Sequence, residues 1–202
     1  MMRLLALAVV WAASACAAEV YTYWVQPCSS EVAQRSGCDA GDPELARWAL
    51  EAWQQAAGHG LQFVAADEEK ALARIRIYWL GKRPQLYGDA RQVFVNGKPG
   101  AFIEVHPDLS QFGPEIEAAG QNDRLFRDTV VYLTCLHESG HAIGLPHTAD
   151  FADIMYSFQF GGNVLEYFNR YRRTLMSRSD IAAQAGISVA DRRQVRILYA
   201  NK

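Results

Sequence analysis

The stretch HESGHAIGLPH, residues 137–147, limits the folds open to this chain more than any other. Within a helix His137 and His141 stand one turn apart on the same face, so both imidazoles can reach a single tetrahedral zinc ion. Glu138 sits about 100° round the helix from His137, outside that ligand pair but placed to hold a water on the metal. Gly144 can take the left-handed conformation that ends a helix, and Leu145-Pro146 then turns the chain back so that His147 supplies a third nitrogen. Three protein ligands leave a fourth position open, which distinguishes a catalytic zinc from a structural one. A bare HExxH arises by chance in roughly one chain of this size in a hundred, and the added glycine and third histidine lower those odds by a further factor of roughly several hundred.

The surrounding pattern predicts one long helix over residues 124–143. Phe126, Val130 and Leu133 lie on the stripe that His137 and His141 continue, and Leu125, Tyr132, Leu136 and Ile143 widen it. A helix apolar on most sides is buried, so its last two turns hold ligands rigidly. Cys135 points about 160° away from His137 on helical geometry and reads as a buried thiol acting as a small hydrophobe.

HExxHxxGxxH followed by Asp153-Ile154-Met155-Tyr156 resembles the metzincin clan of zinc endopeptidases and its Met-turn. The spacing from His147 to Met155, the Thr148 and Asp150 after the third histidine and the Met-Tyr pair are most similar to the matrixin branch. Two branches of the clan place a further tyrosine ligand two residues after the Met. Ser157 stands there, where matrixins usually carry proline, so Tyr156 is not assigned to the metal.

The resemblance implies an α+β fold, a metzincin-like zincin domain with a twisted, mostly parallel sheet, an antiparallel edge strand, a central zinc-binding helix and a C-terminal helix. It implies one catalytic zinc on His137, His141 and His147, with Glu138 as general base and acid in hydrolysis of an extended peptide or protein substrate. It further implies Met155 as an apolar floor beneath the metal, and a segment after the Met-turn that lines the pocket for the residue following the cleaved bond. The strand before the zinc helix would be the sheet edge that pairs with substrate; by order this is residues 101–105. Two other functions share the metal chemistry: a zinc-containing binding protein without peptidase activity, and a zinc hydrolase of non-peptide amides. Retention of Glu138 argues against the first, and an open rather than closed cleft would argue against the second.

Residues 1–17 read as an export signal, with Arg3 at the positive end, an apolar run over 4–13 too short to span a bilayer, and a small-x-small cleavage site at Ala15-Cys16-Ala17. The alternative takes Ala13-Ser14-Ala15-Cys16 as a lipobox with Cys16 lipidated. Residues 18–202 then form one catalytic domain, secreted or periplasmic, or held at a membrane as a lipoprotein. The first strand follows the signal so directly that no zinc-capping propeptide is expected, which leaves an enzyme made active or controlled by a separate protein inhibitor. Half the residues are apolar, 11% are aromatic and net charge is −2, a compact globule with no footprint for nucleic acid. A monomer is expected.

Cys28 and Cys38 flank a polar stretch and predict a local disulfide in an oxidising compartment. Residues 21–25 read as a strand. Asp42 reads as an N-cap with Pro43 at the first helical position, and Leu45, Trp48, Ala49, Ala52 and Trp53 continue a helix that Gly58 stops. Strands follow over 61–65 and 75–79, giving a crossover packed on a sheet. Residues 81–92 read as loop, and 93–95 and 101–105 as a hairpin joined by residues 96–100. His59 reads as a surface loop residue. His106 is the one histidine in residues 81–106, so no second, structural zinc is expected; calcium at Asp89 or Asp108 is compatible with the pattern but unsupported by it. Residues 107–122 read as loop with a short helix. A further helix is expected over 164–177 with Leu165, Phe168, Tyr171 and Leu175 on one side, and Arg170, Arg172, Arg173 and Arg178 as a solvated basic face. The last helix is capped by Ser188, with Asp191 three residues on and Val195, Leu198 and Tyr199 buried.

Overall fold

The computed structural model describes residues 17–66, 70–84 and 86–200. The export-signal and Cys16 readings fall on residues 1–16 and lie outside the described residues. The elements run β1 (Glu19–Val25), α1 (Ser30–Ser36), α2 (Asp42–Ala57), β2 (Leu61–Ala65), β3 (Ile75–Trp79), β4 (Gly88–Val95), β5 (Lys98–Val105), α3 (Pro114–Asn122), α4 (Arg124–Ala142), α5 (Val164–Arg172), α6 (Asp180–Ala183) and α7 (Val189–Tyr199), with short 3-10 turns between some of them. Among the described residues no helix is long and apolar enough to cross a membrane.

The fold is α+β. Five strands lie in the order β2-β1-β3-β5-β4, parallel except for the antiparallel pair β4 and β5 at one edge. On β3, Ile75, Ile77 and Trp79 are buried, and on β5 Ala101, Ile103 and Val105, so alternate residues of adjacent strands form one apolar floor. On α2, Leu45, Ala46, Ala49, Leu50, Trp53 and Ala56 are buried at helical spacing. Small alanines on that stripe let α2 pack against α4, and Trp53 Nε1 donates to the Leu136 carbonyl at 2.8 Å.

An ion pair pins the crossing of these two helices. Asp42 does not cap α2 as expected; Gly41 occupies that position, and Asp42 turns its carboxylate to the buried Arg127 guanidinium of α4, with Nη2 to Oδ2 at 2.7 Å. Burial works against the Arg127 charge, but the Asp42, Asp39 and Asp128 carboxylates outweigh it and hold the guanidinium above its ordinary pKa. Arg127→Ala would take the guanidinium away from the buried Asp42 carboxyl and leave it only the Asp39 N–H on Oδ2. We expect a loss of about 3–5 kcal/mol in unfolding free energy, read by denaturant titration; a change under about 1 kcal/mol would contradict a stabilising role for the pair.

Three local expectations change. The edge strand is β4; β5 is internal, paired on its other side with β3. Chain order does not set sheet order here: a tight turn at Asn96 and Gly97, both at positive φ, pairs β4 with β5, and β5 takes the place beside β3, which leaves β4 outermost. That two-residue turn also replaces the longer loop expected over 96–100, and β4 reaches back to Gly88 in a stretch read as loop. Phe94, 77% exposed, confirms that β4 faces water along part of its length.

The disulfide Cys28–Cys38 is present, and inside its loop sits the unpredicted α1. Seven residues are too few for a helix to stand alone. Ser29 accepts from Val32 N–H at one end, Gly37 closes the other in the left-handed conformation, and the cross-link holds both. After α4, residues 164–177 are helical only to Arg172: the Thr174 and Leu175 N–H groups tighten onto carbonyls three residues back, and the Asp180 carboxylate accepts from the Met176 and Ser177 N–H groups beyond them. The four arginines of this region do not form one solvated face. Arg170 donates to the Phe151 and Asp153 carbonyls, Arg172 pairs with Asp123, Arg173 with Glu166, and Arg178 with Glu44 and Asp128. The closing helix begins as expected, with Ser188 Oγ accepting from Asp191 N–H at 2.9 Å.

Candidate metal centre

Asp123 caps α4 by accepting from the Leu125 and Phe126 N–H groups, and the helix runs unbroken to the first two histidines. At its end Gly144 takes φ +98°, and Leu145 N–H returns to the Gly140 carbonyl at 2.9 Å. The chain then bends so that His147 faces His137 and His141. A short parallel bridge from Thr148 to Tyr156 ties this segment to the next, with Thr148 N–H on the Met155 carbonyl at 2.8 Å.

The hydrogen bonds settle the histidine tautomers. His137 Nδ1 lies 2.7 Å from the Ile154 carbonyl and His141 Nδ1 2.8 Å from the Leu145 carbonyl. A carbonyl only accepts, so each Nδ1 carries the proton and each Nε2 offers a lone pair. His147 Nε2 lies 3.2 Å from His137 Nε2 and 3.0 Å from His141 Nε2. One proton at His147 could satisfy one of those contacts, never both. A tetrahedral ion with bonds of about 2.0–2.1 Å holds its ligand atoms about 3.3 Å apart, close to these two spacings, and all three donor atoms lie within 4.8 Å of one another, so the set could hold a divalent cation. Among the described residues, His137, His141 and His147 form a group that could hold a metal; Asp89, Asp108, His106 and Cys135 do not join it. Burial, then the neighbouring His141, pushes His137 down to about 3, and burial also lowers His141 and His147. All three are neutral at pH 7, the state a metal needs.

Glu138 is nearly buried, and burial followed by the Asp89 charge pushes its carboxyl up to about 8. It stands against Gly88, the first residue of the edge strand. A Cβ there would lie 2.7 Å from Glu138 Cγ and 2.8 Å from Thr134 Cγ2, so only glycine lets β4 pass this close to α4. Gly140 plays the same part between the two helical histidines: a Cβ on it would lie 2.4 Å from Met155 Sδ and 3.1 Å from Trp53. Fully buried Met155 therefore packs directly on the histidine-bearing turn. Tyr156 donates its hydroxyl to the Gly161 carbonyl at 2.7 Å.

The histidines and Glu138 line a cleft of about 760 Å³. One wall is β4, from Gly88 to Gln92; Gln92 Nε2 donates to the His141 carbonyl at 2.8 Å and joins strand to helix. The other wall is aromatic. Phe158, Tyr167 and Phe168 come from the segment after Met155 and face Tyr87 and Leu133. Cys135 is wholly buried and free, its thiol pushed well up by burial, then by the Asp42 and Glu138 charges. His59 is exposed in its turn, while His106 is buried with Nδ1 on the Gly81 carbonyl at 2.6 Å.

Gly88 and the β4 wall were not identifiable from the sequence, because strand order carries no local signal, whereas a lining from the segment after Met155 was expected from the resemblance. Gly140 lies inside the motif, but nothing in its spacing announced the Met155 sulfur against it. No family model matches the chain, and no curated protein matches it.

The Glu138 carboxyl yields a test of metal binding. Below about pH 8 it is mostly protonated in the metal-free protein, and a dication in the cleft favours its ionised form. Metal uptake at pH 7 should therefore release close to one proton, and affinity should rise between pH 6 and 8 by up to about tenfold per unit. Calorimetry in buffers of different ionisation enthalpy measures this. Glu138→Gln should abolish the release; an unchanged release would place the proton elsewhere.

Proposed function

We propose that this chain is a zinc-dependent endopeptidase, its domain a metzincin-like zincin, acting outside the cytoplasm. The observation that carries the reading is the convergence of three neutral histidine Nε2 atoms beside a buried carboxyl, in a cleft open along an outermost strand. A divalent zinc ion held by His137, His141 and His147 supplies Lewis acidity at the scissile carbonyl. Glu138 takes a proton from the attacking water and delivers it to the departing amine. A dication in the cleft favours the ionised carboxylate, the form that accepts the first proton.

Substrate binds as an added strand along the free side of β4, main-chain groups pairing with the strand whatever the peptide's side chains. The aromatic wall from Phe158, Tyr167 and Phe168 receives the residue after the cleaved bond. A cleft walled on one side by an unpaired strand suits extended peptides better than compact amides. The disulfide suits an oxidising compartment. The test is reactivation: protein stripped by a chelator should lose cleavage of an unfolded protein substrate and regain it with one equivalent of zinc. Cleavage that persists without metal would defeat the proposal, and zinc uptake without cleavage would favour a binding protein.

A further inference from the structure

The Met155 segment is gripped from two sides, at the carbonyl and at the N–H of Ile154, and that carbonyl orients His137. That carbonyl, Ile154 C=O, accepts from His137 Nδ1 at 2.7 Å and from the Tyr167 hydroxyl at 3.1 Å; the same hydroxyl reaches the Asp153 carbonyl, also at 3.1 Å. Tyr167 comes from α5, and its side chain is buried. On the other side, at the start of α7, fully buried Asp191 accepts from Ile154 N–H through Oδ2 at 2.7 Å. Burial pushes the Asp191 carboxyl up, while the N–H groups of Ile154 and Met155 and the Ser188 hydroxyl oppose that rise. Ile154 is thus held at its N–H by Asp191 and at its C=O by Tyr167, which fixes the direction of the acceptor that His137 Nδ1 meets. Ser188 Oγ, 2.9 Å from Asp191 Oδ2 and 2.6 Å from Asp153 Oδ1, holds the carboxylate in place.

We propose that Asp191 and Tyr167 are positioning residues for the metal centre: by holding Ile154 at its N–H and its C=O they lock His137 in the Nδ1–H tautomer with Nε2 aimed at the metal. Neither residue touches metal or substrate in this role. An imidazole whose far nitrogen is held by a fixed acceptor is a better-oriented and more basic ligand, and loss of such outer partners typically lowers metal affinity by about 10–100-fold. The arrangement also gives the segment after Met155 a second duty, since α5 both walls the cleft and steadies a ligand.

The inference rests on the proposed metal site, and its test separates the two. Asp191→Asn and Tyr167→Phe keep side-chain shape, and Tyr171→Phe serves as control, because Tyr171 donates from the same helix to Gln184 and not to the Met155 segment. Zinc affinity, measured by competition with a chelator, should fall about 10–100-fold in Asp191→Asn and about tenfold in Tyr167→Phe, and stay at the wild-type value in the control. Long-range ¹H–¹⁵N NMR of the metal-free proteins should show His137 as the Nδ1–H form in wild type and control, with the Nε2–H form appearing in the two variants. Unchanged tautomer and affinities within about threefold of wild type would overturn the proposal. A wild-type protein that takes up no zinc overturns the metal reading itself, and the tautomer measurement then still decides the positioning.

Discussion

Glu138→Gln is expected to keep the fold and the metal and to lower peptide cleavage by about 10²–10⁴-fold, the usual contribution of a positioned acid-base group. Glutamine matches the size of the side chain that fits between Gly88 and Thr134, so packing is preserved while the proton acceptor is lost. The fall should appear in kcat and kcat/KM together, because in the proposed mechanism Glu138 acts only as bonds change. Zinc content by elemental analysis and a thermal melt serve as controls. Full activity in that variant would remove Glu138 from the proposed chemistry.

His147→Ala should have the largest effect on metal retention. If the roughly 10–16 kcal/mol of a four-ligand zinc site is shared evenly, one ligand accounts for about 2.5–4 kcal/mol, or about 10²–10³-fold in affinity. His147 is exposed and approaches both other Nε2 atoms, so its removal takes away a ligand while leaving the core of α4 untouched. Cleavage should fall to background at zinc concentrations that saturate the wild type and recover in part at much higher zinc. His59→Gln, in an exposed turn, should change neither property. Wild-type zinc affinity in His147→Ala would mean that the histidine cluster is not the metal site.

The centre was readable in the sequence where a local rule forces geometry. One helical turn separates His137 from His141, and the fold keeps that relation; Gly144 sits at positive φ where the chain must reverse; Ser188 caps α7 as its spacing to Asp191 suggests. The Cys28–Cys38 pairing was readable because ten residues separate the two cysteines. What was hidden depends on parts of the chain meeting from afar. Asp42 has the form of a cap, yet Arg127, 85 residues on, draws its carboxylate inward. The edge passes to β4 because β5 finds β3, a pairing no single strand announces. Asp191 looks like an ordinary first-turn acid, and only the folded chain brings it to the Ile154 peptide. The short α1 escaped for another reason: its stability comes from caps and a cross-link rather than from any apolar period.

The central claim, that the three histidines and Glu138 make a peptidase, is tested most directly by digesting a diverse peptide library with the purified zinc-loaded protein and with Glu138→Ala, reading cleavage sites by mass spectrometry. Internal cleavage by the wild type is expected, favouring bonds followed by a large apolar residue that fits the aromatic wall, and almost none by the variant. Equal cleavage by both proteins, or none by a wild type carrying one zinc per chain, would contradict it.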